Sequence, residues 1–377
     1  MEAIFAYGEP PRRTAFGRSA TKAPAHETDT LGCRCVIADK AAAPAVVVAF
    51  GFTKGGNQMK RSIATMLAMA VAMALASQAY ADNETIAVLT KNQTNPFFQA
   101  ERLGAAKAAE IMHAKVLQYV PTQPDSIAEQ MSQIDDLIVK KPDAIVMAPV
   151  DSKAMVPGVQ KLNAAKIPVV NVTDHATGGE FVAFVGADDY TLAKQTGLAL
   201  LKAMGGKGNI IIIEGVRGSL TAQDRLRGFQ DAIKEYPDVK LVASQTGNYQ
   251  RLQSLQVMEN LLQSNPNVGG VMAANDAEAI GAMDALADAG NKALVVGING
   301  TKEAIDAIKA GKMLATGAYN GFGQGCIATM IAIRSLRHES VPSTVTLPST
   351  VVDKTNFSAY DVPVDQLNCP AWDEIPK

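Results

Sequence analysis

The chain has 377 residues, 37 acidic and 35 basic side chains, a formal net charge of −2, 19% charged and 47% hydrophobic residues. That balance describes a globule long enough for two domains and excludes the basic excess that a nucleic-acid or acidic-membrane partner demands. Four cysteines, none in a CxxC pair, exclude a disulfide-framed scaffold and leave a zinc or thioredoxin-like site without support.

In chain order, the first strong signal is MKRSIATMLAMAVAMALASQAYADNET, beginning at Met59. Lys60 and Arg61 form a positive n-region, Ile63 to Ala76 an uncharged apolar run, and Ala79-Tyr80-Ala81 an A-x-A cleavage site. The run is too short and too rich in alanine for a membrane span. A signal peptide over residues 59–81 is therefore expected, cleaved after Ala81, and with it export to the periplasm. Residues 1–58 carry no sustained periodicity and read as a disordered upstream extension. A translation start at Met59 explains them most simply, with a cytoplasmic extension as the alternative.

From Asp82 onward, short β-rich runs alternate with amphipathic helical stretches, the pattern of βαβ units and parallel sheets. The first series of strands is expected over Thr85–Thr90, Lys115–Val120, Ala144–Val150, Val169–Thr173 and Phe181–Ala187. AIVMAPV and IPVVNVT are nearly continuous apolar runs, as in a sheet covered by helices on both faces. In IAEQMSQIDDLIVKK, Ile127, Met131, Ile134 and Leu137 share one helical face.

A second series begins near Asp188, with strands NIIIIEG, VKLVASQT, GGVMAAN and ALVVGING. Helices are expected over Leu220–Glu235, Arg251–Gln263, Ala277–Ala289 and Thr301–Lys309. The fold class is thus α/β, with two lobes joined by short crossovers near Ala187-Asp188 and Tyr319-Asn320. The expected division gives residues 83–187 plus 320–348 to the first lobe and 188–319 plus 349–377 to the second lobe and tail. Two tethered lobes can hinge.

Ligands of open parallel sheets bind beyond the carboxyl ends of the strands, so the residues following each strand form a functional census. Lys91, Asn95, Phe97 and Phe98 follow the first strand; Thr173 and Asp174 follow the fourth. The second lobe offers Arg225, Tyr249, Asn275 and Asn299, with Tyr319 at the later crossover. Amides, a carboxylate, cations and aromatic rings together suit a neutral polyhydroxyl ligand: rings cover its C–H faces while fork-shaped donors and acceptors take its hydroxyls. Asn95 and Pro96 also have a purely structural reading, as the cap and first turn of a helix. Phe97 and Phe98 read as a stacking platform, or one of them as core.

The strand followed by NPFF, then APVDS, IPVVNV, a DRLRGF helix start, AANDAEAIGA and VVGINGT resemble, in this order, the periplasmic sugar-binding proteins of the ribose, galactose and allose type, from about Thr85 to Val352. The resemblance implies a type I periplasmic binding protein: two Rossmann-like lobes with parallel sheets joined by a three-strand hinge. It implies delivery of a sugar or polyol to ABC permease subunits, as a monomer and without cofactor, metal or catalysis. By position it gives Asn95, Phe97 and Phe98 contacts to the sugar ring, Arg225 and Asn275 hydrogen bonds to it, and Tyr249 an aromatic wall. Lys91 matches a position that is lysine in allose-type members.

Three departures are equally informative. The family usually has aspartate at the positions of Thr173 and Asn299, and often glutamine at Tyr319. A changed acceptor pattern implies a ligand other than ribose, and whether Thr173 or Asp174 faces it stays open.

Asn275 and Asp276 both read as caps of the helix starting at Ala277, Asp276 mostly as a cap and Asn275 as cap and ligand contact together; Asp151 is expected to cap the helix near Ser152, and Arg225 has the alternative of a surface ion pair with Asp224. The histidines lack metal-ligand spacing, and neither HExxH, GxSxG nor a Walker A sequence occurs. Gly321 to Gly325, GFGQG, lacks the strand and spacing of a dinucleotide site. An exported sugar-sensing subunit for a chemoreceptor or sensor kinase is the main alternative. A LacI-type regulator would need an N-terminal helix-turn-helix, for which residues 1–58 offer no pair of helices. Cys326 and Cys369 either pair in an oxidising compartment or remain one buried and one exposed thiol.

Overall fold

A computed structural model of the chain describes residues 83–375. The expected upstream extension, signal peptide and cleavage after Ala81 lie outside the described residues.

Two six-stranded sheets organise the fold. The first contains β1 (Thr85–Leu89), β2 (Lys115–Tyr119), β3 (Ala144–Met147), β4 (Val169–Val172), β5 (Ala183–Gly186) and β11 (Thr344–Thr346). Its order is β11-β5-β4-β3-β1-β2 and every pairing is parallel. β1, β3 and β4 are buried along almost their whole length, which accounts for their unbroken apolar runs. β2 lies at an edge and alternates exposed and half-buried residues.

The second sheet holds β6 (Lys207–Glu214), β7 (Asp238–Thr246), β8 (Val268–Ala273), β9 (Leu294–Asn299), β10 (Ala315–Ala318) and β12 (Thr350–Asp353). Its order is β12-β10-β9-β8-β6-β7, with β12 antiparallel to β10. The order of strand addition reverses at β1 and at β6, whose neighbours are β2 and β3 and β7 and β8, so each lobe has a switch point where loops diverge and leave a crevice.

Nine helices cover the sheets among the described residues: α1 (Pro96–Ile111), α2 (Ile127–Lys140), α3 (Val156–Ala164), α4 (Asp189–Ala203), α5 (Leu220–Lys234), α6 (Arg251–Ser264), α7 (Asp276–Asp288), α8 (Lys302–Lys309) and α9 (Gly321–Leu336). Their starts are written in short polar side chains. Ser126, Ser219 and Thr301 cap α2, α5 and α8 by accepting a backbone N–H in the first turn. GFGQG opens α9. A Cβ on Gly325 would lie 1.9 Å from the Glu101 carbonyl oxygen, and one on Gly104 1.9 Å from that of Phe322, so these two glycines let α1 and α9 touch backbone to backbone.

The chain passes between sheets from β5 to α4, from β10 to α9 and from β11 to β12. It then crosses again. Phe357 packs with Ile305, Ala318 and Val352, and Asp361 pairs with Lys302 and Lys309 of α8. Beyond it, Cys369 is disulfide-bonded to Cys326 of α9, and Trp372 lies 4.2 Å from the Arg334 guanidinium. The end of the chain is thus held by the first lobe, where the sequence reading kept residues 349–377 with the second. Tail residues without helical or strand periodicity gave no signal of that return.

Candidate functional site

The loops following β1, β4, β6, β7, β8, β9 and β10 converge on one narrow cavity between the lobes. It is lined by Lys91, Asn95, Phe97, Phe98, Thr173 and Asp174 from the first lobe and by Thr221, Arg225, Tyr249, Asn275, Asn299 and Tyr319 from the second and its crossover. All eleven residues singled out from the sequence are on that wall. Thr221 was missed; the only cue was its place in the first turn of a helix that follows a strand.

Asn95 caps α1 by accepting the Phe97 N–H at 3.0 Å, with Pro96 in the first turn. This pins the start of the helix and delivers both phenylalanines to the cavity. Their rings meet edge to face at 5.4 Å, and Phe97 reaches across to Tyr319 at 5.2 Å. Both rings are also nearly buried, as the core reading expects of one of them.

Lys91 is 2% exposed and its Nζ lies 2.7 Å from Asp174 Oδ2. Burial alone would lower the lysine pKa, but the charges of Asp174 and Asp125 outweigh it and hold the ammonium. Nζ also sits 5.9 Å from the Phe98 ring centre and 5.7 Å from that of Tyr249, within cation–π range of a ring in each lobe.

Asp174 does more than neutralise Lys91. Its Oδ1 accepts the Thr221 backbone N–H at 3.2 Å and the Ser152 hydroxyl at 3.4 Å, while Ser152 Oγ in turn accepts the Leu220 N–H at 3.0 Å. A first-lobe carboxylate therefore sits on the N-terminal turn of α5, where backbone donors and the helix dipole favour an anion. The Thr221 hydroxyl donates to the Thr173 carbonyl at 3.2 Å, and Ser152 N–H to the Gly218 carbonyl at 2.9 Å. These bonds close the lobes over the cavity.

Arg225 is 2% exposed and pairs with Asp189, not with Asp224, which bonds Arg227 on the surface. Burial lifts the Asp189 carboxyl to about 6, against the pull of Arg225. The guanidinium is surrounded by protein acceptors: Nε and Nη2 lie 2.7 Å from Asp189, Nη1 donates to the Ala274 carbonyl at 2.8 Å and Asn299 Oδ1 at 3.1 Å, and Nη2 donates to Tyr319 Oη at 2.5 Å. Arg225 thus fixes the orientation of two other cavity residues.

On the opposite wall, Asn275 caps α7, one of the two caps the sequence offered; Asp276, expected to serve mostly as a cap, is the first residue of the helix instead. Asn275 Oδ1 accepts the Glu278 N–H at 2.8 Å, and Glu278 accepts the Asn275 N–H at 3.1 Å, a reciprocal capping box. Asp276 is turned away, accepting from Thr301 and Thr316. The fully buried Glu278 carboxylate also accepts the Tyr249 N–H at 2.7 Å, which ties Tyr249 to Asn275. Asn-x-x-Glu at a helix start was the signal that could have found Glu278. Asp151 accepts from the N–H groups of Lys153 and Ala154, capping the turn that precedes α3.

Backbone strain gathers here. Thr173, Asn248 and Tyr249 have φ of 63°, 51° and 59°, and Asn299 has 135°. Such values cost a non-glycine residue about 1–3 kcal/mol and persist where the surroundings over-determine them. Gly215 is one such determinant: a Cβ there would lie 2.4 Å from the Tyr249 ring.

Behind Thr173, its hydroxyl contacts the buried Glu101 carboxyl and donates to Gln324 Oε1 at 2.7 Å. One hydroxyl proton cannot serve two acceptors, so the set is completed either by a proton on Glu101 or by the Gln324 amide turned to present its Nε2, which is otherwise without a partner. Burial pushes the Glu101 carboxyl up to about 7.

The periplasmic binding protein domain model matches residues 86–340. The ribose import binding protein of Haemophilus influenzae is 31% identical over 78% of this chain and 100% of its own length. The D-apiose import binding protein of Actinobacillus succinogenes is 34% identical over 64% of this chain and 78% of its own. Among solved structures, an ABC transporter periplasmic solute-binding protein from Actinobacillus succinogenes with bound D-allose superposes with a TM-score of 0.69 and 34% identity, covering 74% of this chain and all of that one.

Proposed function

We propose a function from one premise, that the chain belongs to the periplasmic binding protein domain family: it captures a monosaccharide or sugar alcohol between its lobes and presents it to the membrane subunits of an ABC importer. The fold class expected from the sequence, a two-lobed type I binding protein, stands with it.

The observation that carries the reading is the cavity itself. Its charges cancel in pairs, Lys91 with Asp174 and Arg225 with Asp189, which suits an uncharged ligand. Phe97, Phe98, Tyr249 and Tyr319 supply faces for C–H groups, and Asn95, Asn275 and Asn299 supply amides for hydroxyls.

Closure supplies the signal to the permease. Each lobe contributes half of the wall, so a ligand gains its full set of contacts only when Asp174 meets the start of α5, and it stabilises the closed form by that difference. Export to the periplasm agrees with the names of the relatives and with the disulfide between Cys326 and Cys369, a bond typical of oxidising compartments.

The test is a thermal-shift panel of pentoses, hexoses and sugar alcohols on wild type and Phe98→Leu, because a ligand that binds only the folded state raises its melting temperature. A stereoselective shift in wild type, reduced in the variant, supports the reading. A panel without any shift removes it.

A further inference from the structure

Glu278, in the first turn of α7, is a fully buried carboxylate that does not line the cavity but holds two residues that do. Its oxygens are taken by backbone donors from two different loops: Oε1 accepts the Tyr249 N–H at 2.7 Å and Oε2 the Asn275 N–H at 3.1 Å. Asn275 closes the circuit, accepting the Glu278 N–H on Oδ1 at 2.8 Å and reaching the Tyr249 carbonyl with Nδ2 at 3.4 Å. Four hydrogen bonds among three residues thus tie the loop after β7 to the start of α7.

Tyr249 depends on that tie. It and Asn248 have consecutive left-handed backbones, with φ of 59° and 51°, and residues with side chains keep such conformations only where the surroundings over-determine them. The polar end of the ring does not anchor it, because Tyr249 Oη is buried without a hydrogen-bond partner among the described residues. Packing against Ala222 and Ala274 is apolar and therefore non-directional. The loop is also shaped around the carboxylate: a Cβ on Gly247 would lie 2.9 Å from Glu278 Oε1. What the Tyr249 N–H bond places is an aromatic face of the cavity, with Lys91 Nζ 5.7 Å from its centre.

We infer that Glu278 is a positioning residue of the ligand site: without touching the ligand, it sets affinity by holding the Tyr249 ring in place through the backbone. The inference rests on the sugar-binding reading, because the placement of the ring matters to a ligand whose C–H groups lie against it.

The test is calorimetric titration of the full chain as wild type, Glu278→Met, Tyr249→Leu and the double variant, with whichever of D-ribose, D-allose, D-galactose and ribitol the wild type binds. Methionine has nearly the length and shape of glutamate, but its thioether is a poor acceptor. Leucine at 249 keeps the backbone bond and removes the ring. Glu278→Met is expected to weaken binding about tenfold, which corresponds to about 1.4 kcal/mol, and to have little further effect once Tyr249 is leucine. Denaturant unfolding of the same variants separates this role from support of the fold. A carboxylate that only stabilises the fold would lower the unfolding midpoint in both backgrounds and leave the dissociation constant of the folded protein unchanged.

An unchanged dissociation constant in Glu278→Met overturns the inference and leaves the sugar-binding reading in place. So does a tenfold loss that persists in the Tyr249→Leu background, since Glu278 would then act without the ring. Should the methionine variant fail to fold, Glu278→Gln, which keeps one acceptor oxygen, goes through the same cycle: a smaller loss that disappears with Tyr249→Leu supports the inference, and no loss overturns it. If wild type binds none of these sugars and the thermal-shift panel is also silent, the sugar reading and this inference fall together.

Discussion

Asp174 Oδ1 accepts the backbone N–H of Thr221 at 3.2 Å, so one carboxylate of the first lobe both neutralises a buried lysine and caps a helix of the second. This makes Asp174 the point at which charge balance inside the cavity and closure of the lobes meet.

Asp174→Asn is expected to separate the two roles. The amide oxygen can still accept from Thr221, but Lys91 loses its compensating charge at 2% exposure, and breaking a buried pair by removing one partner costs about 3–5 kcal/mol. Chemical denaturation is expected to register a loss of that size, and calorimetry a weaker ligand affinity. A variant with wild-type stability would mean that Lys91 is hydrated or neutral in the folded protein and that the pair is not the keystone described above.

Much of this architecture was legible because parallel strands buried on both faces read as apolar runs, and because caps such as Ser126 and Ser219 punctuate the helices. The eleven lining positions were legible because chain topology alone puts strand-end residues at the cleft. What stood behind them was not. Glu101 and Glu278 are charged side chains at helical spacing, which normally mark a solvated face, yet both are fully buried. Asp189 lies 36 residues before Arg225, and only the packing of α4 beside α5 joins them. Asn275 and Asp276 were both legible as caps, and which of them is used turns on a single residue of register, finer than composition can resolve.

The buried acids make a prediction about pH. Burial raises Glu101 from 4.5 to about 7 and Asp189 and Asp276 from 3.8 to about 6. A folded pKa above the unfolded one means the native state holds the proton more tightly. The associated stability is fully present below about pH 4 and is lost as pH rises through 6 to 7. For Glu101 alone the shift corresponds to roughly 3 kcal/mol. The melting temperature of the ligand-free protein is therefore expected to rise as pH falls from 8 to 5, and Glu101→Gln, which is neutral throughout, is expected to flatten that slope. An unchanged slope in the variant would assign the dependence to other groups and make the Gln324 amide, not Glu101, the donor to Thr173.

The disulfide sets the last expectation. Cys326 and Cys369 are 43 residues apart in sequence, and the loop they close contains both β11 and β12 and the passage between lobes. Chain-entropy reasoning assigns a loop of this length about 4 kcal/mol of stabilisation. Its position adds a mechanical consequence. Asp361 is held by Lys302 and Lys309 of the second lobe, and Cys369 by α9 of the first, so the intervening chain straps the lobes together at a fourth crossing. Reduction, or the Cys326→Ala, Cys369→Ala pair, is expected to lower the unfolding free energy by about 2–4 kcal/mol, to expose the chain beyond Asp361 to limited proteolysis, and to increase the radius of gyration of the ligand-free protein in solution scattering. If stability falls while proteolysis and scattering stay as in the oxidised protein, the bond acts only on the unfolded chain and the strap does not restrain the hinge.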